Sequence, residues 1–168
     1  MGKSKIQGIQ ELKVRVREAR SHKERVVLTN GCFDVLHRGH LQLLYHAKAL
    51  GDILIVAINN DESVRRIKGP GRPINSEMDR AEMLAAMEMV DYVTLFATPD
   101  PYDLIAELLP DVLVKGGDWQ VRDVIGGDVV EAHGGRVNIV PLVKNYSSTG
   151  IIDKIKGQGK RAGKRGHS

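Results

Sequence analysis

The sequence predicts an α/β protein built on one parallel sheet of five strands with helices on both faces, and three observations lead there. Short β-branched runs, among them Ile53-Leu54-Ile55-Val56-Ala57-Ile58, are apolar throughout, as strands covered on both faces must be. Between them lie segments whose apolar residues recur every three or four positions, the period of a helix with one buried face. Strand and helix alternate along the chain, and right-handed crossovers then set neighbouring strands parallel, a Rossmann-like arrangement. At 168 residues, one domain with a single core is the expectation.

Residues Ile6, Ile9, Leu12, Val16 and Ala19 form the stripe of a leading amphipathic helix within residues 1–24, suited to core packing or to a homodimer contact. Val26-Val27-Leu28-Thr29 reads as the first strand, and Leu41, Leu44, Ala47 and Leu50 mark the helix after it. The Ile53–Ile58 run is the second strand, and Asn59-Asn60-Asp61 opens a short helix. Lys68-Gly69-Pro70-Gly71-Arg72-Pro73 forbids regular structure and leaves two cations on a loop. Ser76 with Asp79 resembles a capping box opening a Met-rich helix from Glu77 to Met89, whose Met78, Met83, Met87 and Met89 offer a second dimer surface or more core. Tyr92–Phe96 is the third strand, Asp103 to Leu109 a helix, Val112–Val114 the fourth strand, Asp128 to His133 a helix and Val137–Val140 the fifth strand. Ser147, Ser148 and Thr149 precede Ile151-Ile152-Asp153-Lys154-Ile155 and predict the N-terminus of a last helix. The domain proper is placed at 25–156, followed by a basic, Gly-rich tail at 157–168 expected to be disordered.

Mean hydropathy of -0.23 with 42% hydrophobic residues fits a globular protein. No apolar run approaches the roughly 20 residues that span a bilayer, and the N-terminus has no apolar secretory core, so a cytoplasmic enzyme with no membrane partner is expected. Cys32 is the single cysteine, which excludes an internal disulfide and a multi-cysteine metal site. Four of the 25 basic residues fall in the acid-free tail, which leaves 21 bases against 21 acids in the body. That neutral body argues against nucleic acid as a partner.

The stretch Thr29-Asn30-Gly31-Cys32-Phe33-Asp34-Val35-Leu36-His37-Arg38-Gly39-His40 carries the most chemistry. It turns from a buried strand into a helix and sets two imidazoles three residues apart, on one face, beside unpaired amides and the positive end of the helix dipole. That is the layout of a phosphate site. Gly31 and Gly39 lack a Cβ and permit close approach of an anion. In a doubly wound sheet ligands bind beyond the carboxyl ends of the strands, where three segments fall: Phe33 to His40, Asn59 to Asp61, and Lys115-Gly116-Gly117-Asp118-Trp119. Classical P-loop and dinucleotide fingerprints are absent.

The ordered set Gly-x-Phe-Asp-x-x-His-x-Gly-His resembles the signature of the His-x-Gly-His nucleotidyltransferase superfamily, whose members join a nucleoside triphosphate to a phosphorylated partner and release pyrophosphate. Further blocks, Lys68-Gly-Pro-Gly-Arg72-Pro73, Asp79-Arg80, Asp91-Tyr92-Val93, Pro110 to Asp118 and Tyr146-Ser147-Ser148-Thr149, are similar to the adenylyltransferase domain of bifunctional heptose kinase/adenylyltransferases, in order from about Arg25 to Lys156. The closing run Leu142 to Thr149 lacks the arginine of the Arg-Thr-x-Gly-Ile-Ser-Thr-Thr form carried by CTP-dependent relatives that act on glycerol 3-phosphate, phosphocholine or phosphoethanolamine. No kinase-sized segment is present, so on this resemblance the preceding phosphorylation falls to another protein.

The resemblance implies that ATP and D-glycero-β-D-manno-heptose 1-phosphate give ADP-heptose and pyrophosphate, for lipopolysaccharide inner-core assembly. His37 and His40 are then the donors to the ATP phosphates, with Lys68 a third catalytic group. Asn30, Gly31, Cys32, Phe33, Gly39, Arg72, Gly117, Asp118, Tyr146, Ser147, Ser148 and Thr149 are assigned to the nucleotide. Asp34, Lys115 and Trp119 are assigned to the sugar 1-phosphate, Asp34 having the alternative of tying down backbone amides and Trp119 that of closing a core edge. Mg²⁺ is expected as the ATP complex, since no clustered carboxylates form a dedicated cage. The alternatives are a CTP-dependent cytidylyltransferase and a noncatalytic nucleotide-binding protein.

Overall fold

The structure, a computed structural model, describes residues 5–141 and 146–162. Strands β1 (Val26–Gly31), β2 (Ile53–Asn59), β3 (Tyr92–Phe96), β4 (Val112–Gly116) and β5 (Arg136–Val140) form one all-parallel sheet in the order β3-β2-β1-β4-β5. The helices are α1 (Ile9–Ser21), α2 (Arg38–Lys48), α3 (Asp61–Lys68), α4 (Glu77–Ala85), α5 (Tyr102–Leu108), α6 (Gly127–Ala132) and α7 (Ser148–Ala162), with a 3₁₀ turn at Val121–Asp123.

Strand period two splits the core into two layers. Val27, Leu54, Val56 and Val112 pack with Leu44, Ala47, Ala81 and Leu84 from α2 and α4. Val26, Leu28, Ile55 and Leu113 pack on the opposite face with Leu12, Val16, Ile105 and Val130 from α1, α5 and α6. The leading helix is therefore part of the core. It begins at Ile9, later than the stripe from Ile6 suggests, because Ile6 bridges to Val93 and the Gln7 N–H donates to the Val93 carbonyl at 2.9 Å, extending the sheet edge.

The Met-rich helix stops at Ala85, short of Met89. Beyond its end the Lys5 ammonium donates to the carbonyls of Val90 at 2.6 Å and Met87 at 3.2 Å, while Met89 and Val90 turn into the core. Met78 and Met83 stay exposed. Ser76 caps α4 as its spacing predicts, accepting from the Asp79 N–H at 3.2 Å. The last helix runs on from Ile155 to Ala162, past the start of the segment read as a tail, and Lys164 and Arg165 lie outside the described residues, as does Leu142 to Asn145 of the closing motif.

Three aspartates, each just before a strand, fasten the amino-terminal end of the sheet. Asp52 accepts from the Arg25 N–H at 2.7 Å, Asp91 from the Leu54 N–H at 2.7 Å, and Asp111 from the Val26 N–H at 2.7 Å. The carboxyl-terminal end is fastened by one cation. Arg80 is fully buried, and its guanidinium donates to the carbonyls of Cys32 at 2.6 Å, Asn59 at 2.9 Å and Asn75 at 3.2 Å and to the Asp61 carboxylate at 2.8 Å.

Replacing Arg80 by methionine keeps the volume but orphans three carbonyls and a carboxylate together. The expected cost is about 3–5 kcal/mol of unfolding free energy, read by urea unfolding. Arg80→Lys should recover only part of it, because one ammonium cannot reach four acceptors in the plane a guanidinium serves; a loss under about 1 kcal/mol in Arg80→Met would show the clamp to be dispensable.

Candidate active site

The chain crosses from β1 through α2 to β2 on one side, then returns after β3 to β4 on the other, which puts the switch point at the carboxyl end of β1. There a cleft of about 600 Å³ opens. Its lining holds every residue expected for the site except Gly117 and Asp118.

His37 is the N-cap of α2. Its Nδ1 accepts from the Gly39 N–H at 3.1 Å, so the ring proton belongs on Nε2, the tautomer that leaves a donor for a ligand. His40 stacks on His37 with ring centroids 3.8 Å apart and planes at 22°, and Phe33 closes its other side at 5.0 Å. Burial lowers the pKa of His37, and burial with the neighbouring His37 lowers that of His40 to about 4. At neutral pH both imidazoles are thus uncharged, and the buried Nδ1 of His40 has no hydrogen-bond partner among the described residues.

The glycines of the motif serve neighbouring rings. A Cβ on Gly39 would lie 3.0 Å from the His37 ring, and one on Gly31 would lie 3.0 Å from that of Phe33. Phe33 itself holds φ +47°, a left-handed conformation a bulky residue rarely adopts. What holds it is the next residue. Asp34, with only 1% of its side chain exposed, accepts from the Ile74 N–H at 2.8 Å, the Asn75 N–H at 2.9 Å and Arg72 Nε at 2.6 Å. Burial would raise its pKa, but the amides of Asn75 and Ile74 and the Arg72 guanidinium hold it below the usual carboxylate range. Asp34 therefore ties down amides, the second of its two expected roles, and brings the Lys68–Arg72 loop to the cleft. Arg72, expected to reach phosphate, is engaged by this carboxylate.

Lys115, at the end of β4, is largely buried, which pushes its pKa down; its ammonium lies 3.4 Å from Asn30 Oδ1 and 5.7 Å from the Trp119 ring centroid. Gly117 and Asp118 lie just beyond the cleft lining. Gly117 takes φ +133° so that the Trp119 indole can fold back, where a Cβ would lie 2.9 Å from it, and Asp118 is exposed outside the cleft lining. At α7, Ser147 Oγ accepts from the Gly150 N–H at 3.0 Å as a cap. The Ser148 hydroxyl donates to the Val35 carbonyl at 2.7 Å and so ties α7 to the histidine loop. Ser148 and Thr149, the first two residues of α7, line the cleft beside this cap. Cys32, its pKa raised by burial, is a thiol lying 3.8 Å from Asn59 Oδ1, with no base to activate it.

Sequence reasoning missed Asn59, Asn75 and Arg80, whose work is to hold loop ends together, and the Pro99–Pro101 turn that lines the cleft beyond β3. Asn59-Asn60-Asp61 and Asp79-Arg80 were visible as blocks, but nothing in spacing says that Arg80 reaches the strand ends. Among the described residues no group of three or more His, Cys, Asp or Glu side chains could hold a metal ion, and no helix is long and apolar enough to cross a membrane.

Comparison with known proteins agrees with this geometry. The chain is 53% identical over 154 residues to the bifunctional protein HldE of Pseudomonas syringae pv. syringae (strain B728a), which covers 92% of this chain and 32% of that protein. The chain thus spans about a third of the length of the curated relatives it matches. Among solved structures, the lipopolysaccharide core biosynthesis protein of Thermoplasma volcanium GSS1 superposes with a TM-score of 0.59 at 29% identity, covering 74% of this chain and 99% of that one. Pantoate-beta-alanine ligase from Francisella tularensis shares the fold at a TM-score of 0.58 and 16% identity, over 83% of this chain and 67% of that one. Residues 28–154, which hold the whole sheet except the first two residues of β1 as well as the N-termini of α2 and α7, match the cytidylyltransferase-like family, and the chain belongs to it.

Proposed function

We propose that this chain is an adenylyltransferase, a nucleotidyltransferase that joins ATP to D-glycero-β-D-manno-heptose 1-phosphate and releases ADP-heptose and pyrophosphate, a cytoplasmic step toward the lipopolysaccharide core. The carrying observation is the stacked His37–His40 pair at the N-terminus of α2, opening into a cleft shared with Lys68, Lys115 and the start of α7. The relatives named HldE and the Thermoplasma protein support the heptose reading.

The acceptor phosphate already carries the attacking oxygen, so the chain needs no nucleophile of its own. Its task is to align two polyanions and meet the charge that grows on the leaving pyrophosphate. His37 Nε2–H and His40 donate to the triphosphate, the Ser148 and Thr149 amides at the start of α7 take its far end, and Lys115 and Lys68 offset the charge. Mg²⁺ enters with ATP as part of the substrate and bridges phosphate oxygens. A specific observation keeps a rival open: the family is described by cytidylyl transfer. A pyrophosphate-release screen crossing four nucleotides with heptose 1-phosphate anomers, glycerol 3-phosphate and phosphocholine decides between them. ATP with the β-anomer should be the productive pair; CDP product with no ADP-heptose would sink the proposal.

His37→Ala and His40→Ala should each lower kcat by roughly 10²- to 10³-fold, the scale for one preorganised donor. ATP affinity should change less. Pyrophosphate release per folded molecule, with thermal unfolding of the same samples, checks this: well-folded variants with near-normal kcat would refute the role.

His40 also sets a pH dependence of stability. Its folded pKa of about 4 lies below the ~6.5 of an unfolded chain, so the unfolded state binds the proton first. The stability of the neutral ring is whole above pH ~6.5 and is lost as pH falls toward 4. Between pH 7 and 4.5, His40→Asn should lose about 2 kcal/mol less than the parent in urea unfolding; equal losses would mean the ring is not held neutral.

A further inference from the structure

The cleft extends from the switch point in two directions with unlike chemistry. Toward β5 it is lined by Trp119, Ile125, Val140 and Pro141, a flat apolar arm suited to a base. Toward β3 it is lined by Asn59 and the Pro99-Asp100-Pro101 turn, with Lys68 alongside.

That turn is fixed from within. Thr98 Oγ1 donates to the Asp100 carbonyl at 2.6 Å, and the Tyr102 N–H donates to Asp100 Oδ1 at 3.0 Å. It is also pinned to the floor of the cleft: the buried Asn59 amide donates to Ser63 Oγ at 2.9 Å, and Ser63 donates to the Thr98 carbonyl at 3.0 Å. Of the acidic side chains lining the cleft, Asp34 is spent on its own loop, and Asp100 is the other. Among the described residues no cation is ion-paired with Asp100. Asp100 is exposed at the rim of the cleft, and a carboxylate on the rim of a cleft otherwise dressed with cations and imidazoles repels phosphate and accepts from hydroxyls.

We infer that Asp100 and its turn are the hydroxyl-binding subsite of the acceptor: the carboxylate accepts from neighbouring hydroxyls of a polyhydroxylated phosphate ester and so turns its phosphate toward Lys68 and the histidine pair. This rests on the proposed function and names the part of the site that tells a sugar phosphate from a smaller phosphate ester. An acceptor with few hydroxyls gains little there.

The test is pyrophosphate release by the full chain and by Asp100→Asn and Asp100→Ala, with ATP and heptose 1-phosphate varied in turn and thermal unfolding measured on the same samples. Asp100→Asn keeps an acceptor for the Tyr102 N–H and so guards against a collapsed turn. The KM for heptose 1-phosphate should rise roughly 10- to 100-fold, the scale for removing a hydrogen bond to a charged group, with KM for ATP unchanged within about twofold and kcat altered less than KM. The preference for heptose 1-phosphate over glycerol 3-phosphate should shrink in parallel. If the parent turns over but both variants keep its acceptor KM, or if KM for ATP rises as much, the subsite is overturned while the adenylyltransferase reading stands. A parent that releases no pyrophosphate with any sugar phosphate overturns both.

Discussion

The Arg80 guanidinium is the constraint on which the cleft depends. Parallel strands that end side by side at a switch point leave carbonyls with no strand to meet them, and burying such groups unpaired is costly. Arg80 supplies one planar fork that serves the chain just after β1, the end of β2, the turn before α4 and the acid that opens α3. Three connections, β1–α2, β2–α3 and α3–α4, are thereby referred to one rigid group. Its charge is met at 2.8 Å by the Asp61 carboxylate.

Above that floor the electrostatics are restrained. Two protonated rings at 3.8 Å would repel, and a cleft crowded with bare cations would strain the empty protein. The stacked imidazoles avoid this by being neutral donors, while Arg72 is held by Asp34 and Lys115 lies beside Asn30 and Trp119. A polyanion entering such a site meets polarised N–H groups with geometry already set, which is how preorganisation lowers the reorganisation a reaction requires.

Much of the fold was legible because it is written in local period. The unbroken apolar runs at β1 and β2 could only be strands covered on both faces, and α1 carried its buried stripe Leu12-Val16-Ala19 in plain view. The histidine turn was legible because both rings come from one segment. What stayed hidden depends on contacts between segments far apart in sequence. Nothing near Asp34 announces Arg72 and the amides of Ile74 and Asn75, and nothing near Gly117 announces that the Trp119 indole folds back against it. Helix ends were misjudged for the same reason: Ile6 and Met89 continue a helical pattern, but Val93 and Lys5 claim their surroundings for the sheet edge.

The carboxylates of Asp52, Asp91 and Asp111 sit at the end of the sheet opposite the cleft, yet they bear on its accuracy. Each is matched to one amide of an adjoining segment, so each acts as an index pin. A strand that slid by one residue would move about 3.3 Å and exchange its two faces. It would also pull its pin out of its socket. Asn59 of β2 is in register with Phe96 of β3, and Asn30 of β1 is in register with Ala57, two residues lower on β2; a mismatch of one residue between neighbouring strands would break hydrogen bonds whose tolerance is a few tenths of an ångström. The alignment of the upper rim is thus gauged from the lower one, and errors of assembly are rejected there, before any ligand arrives to reveal them.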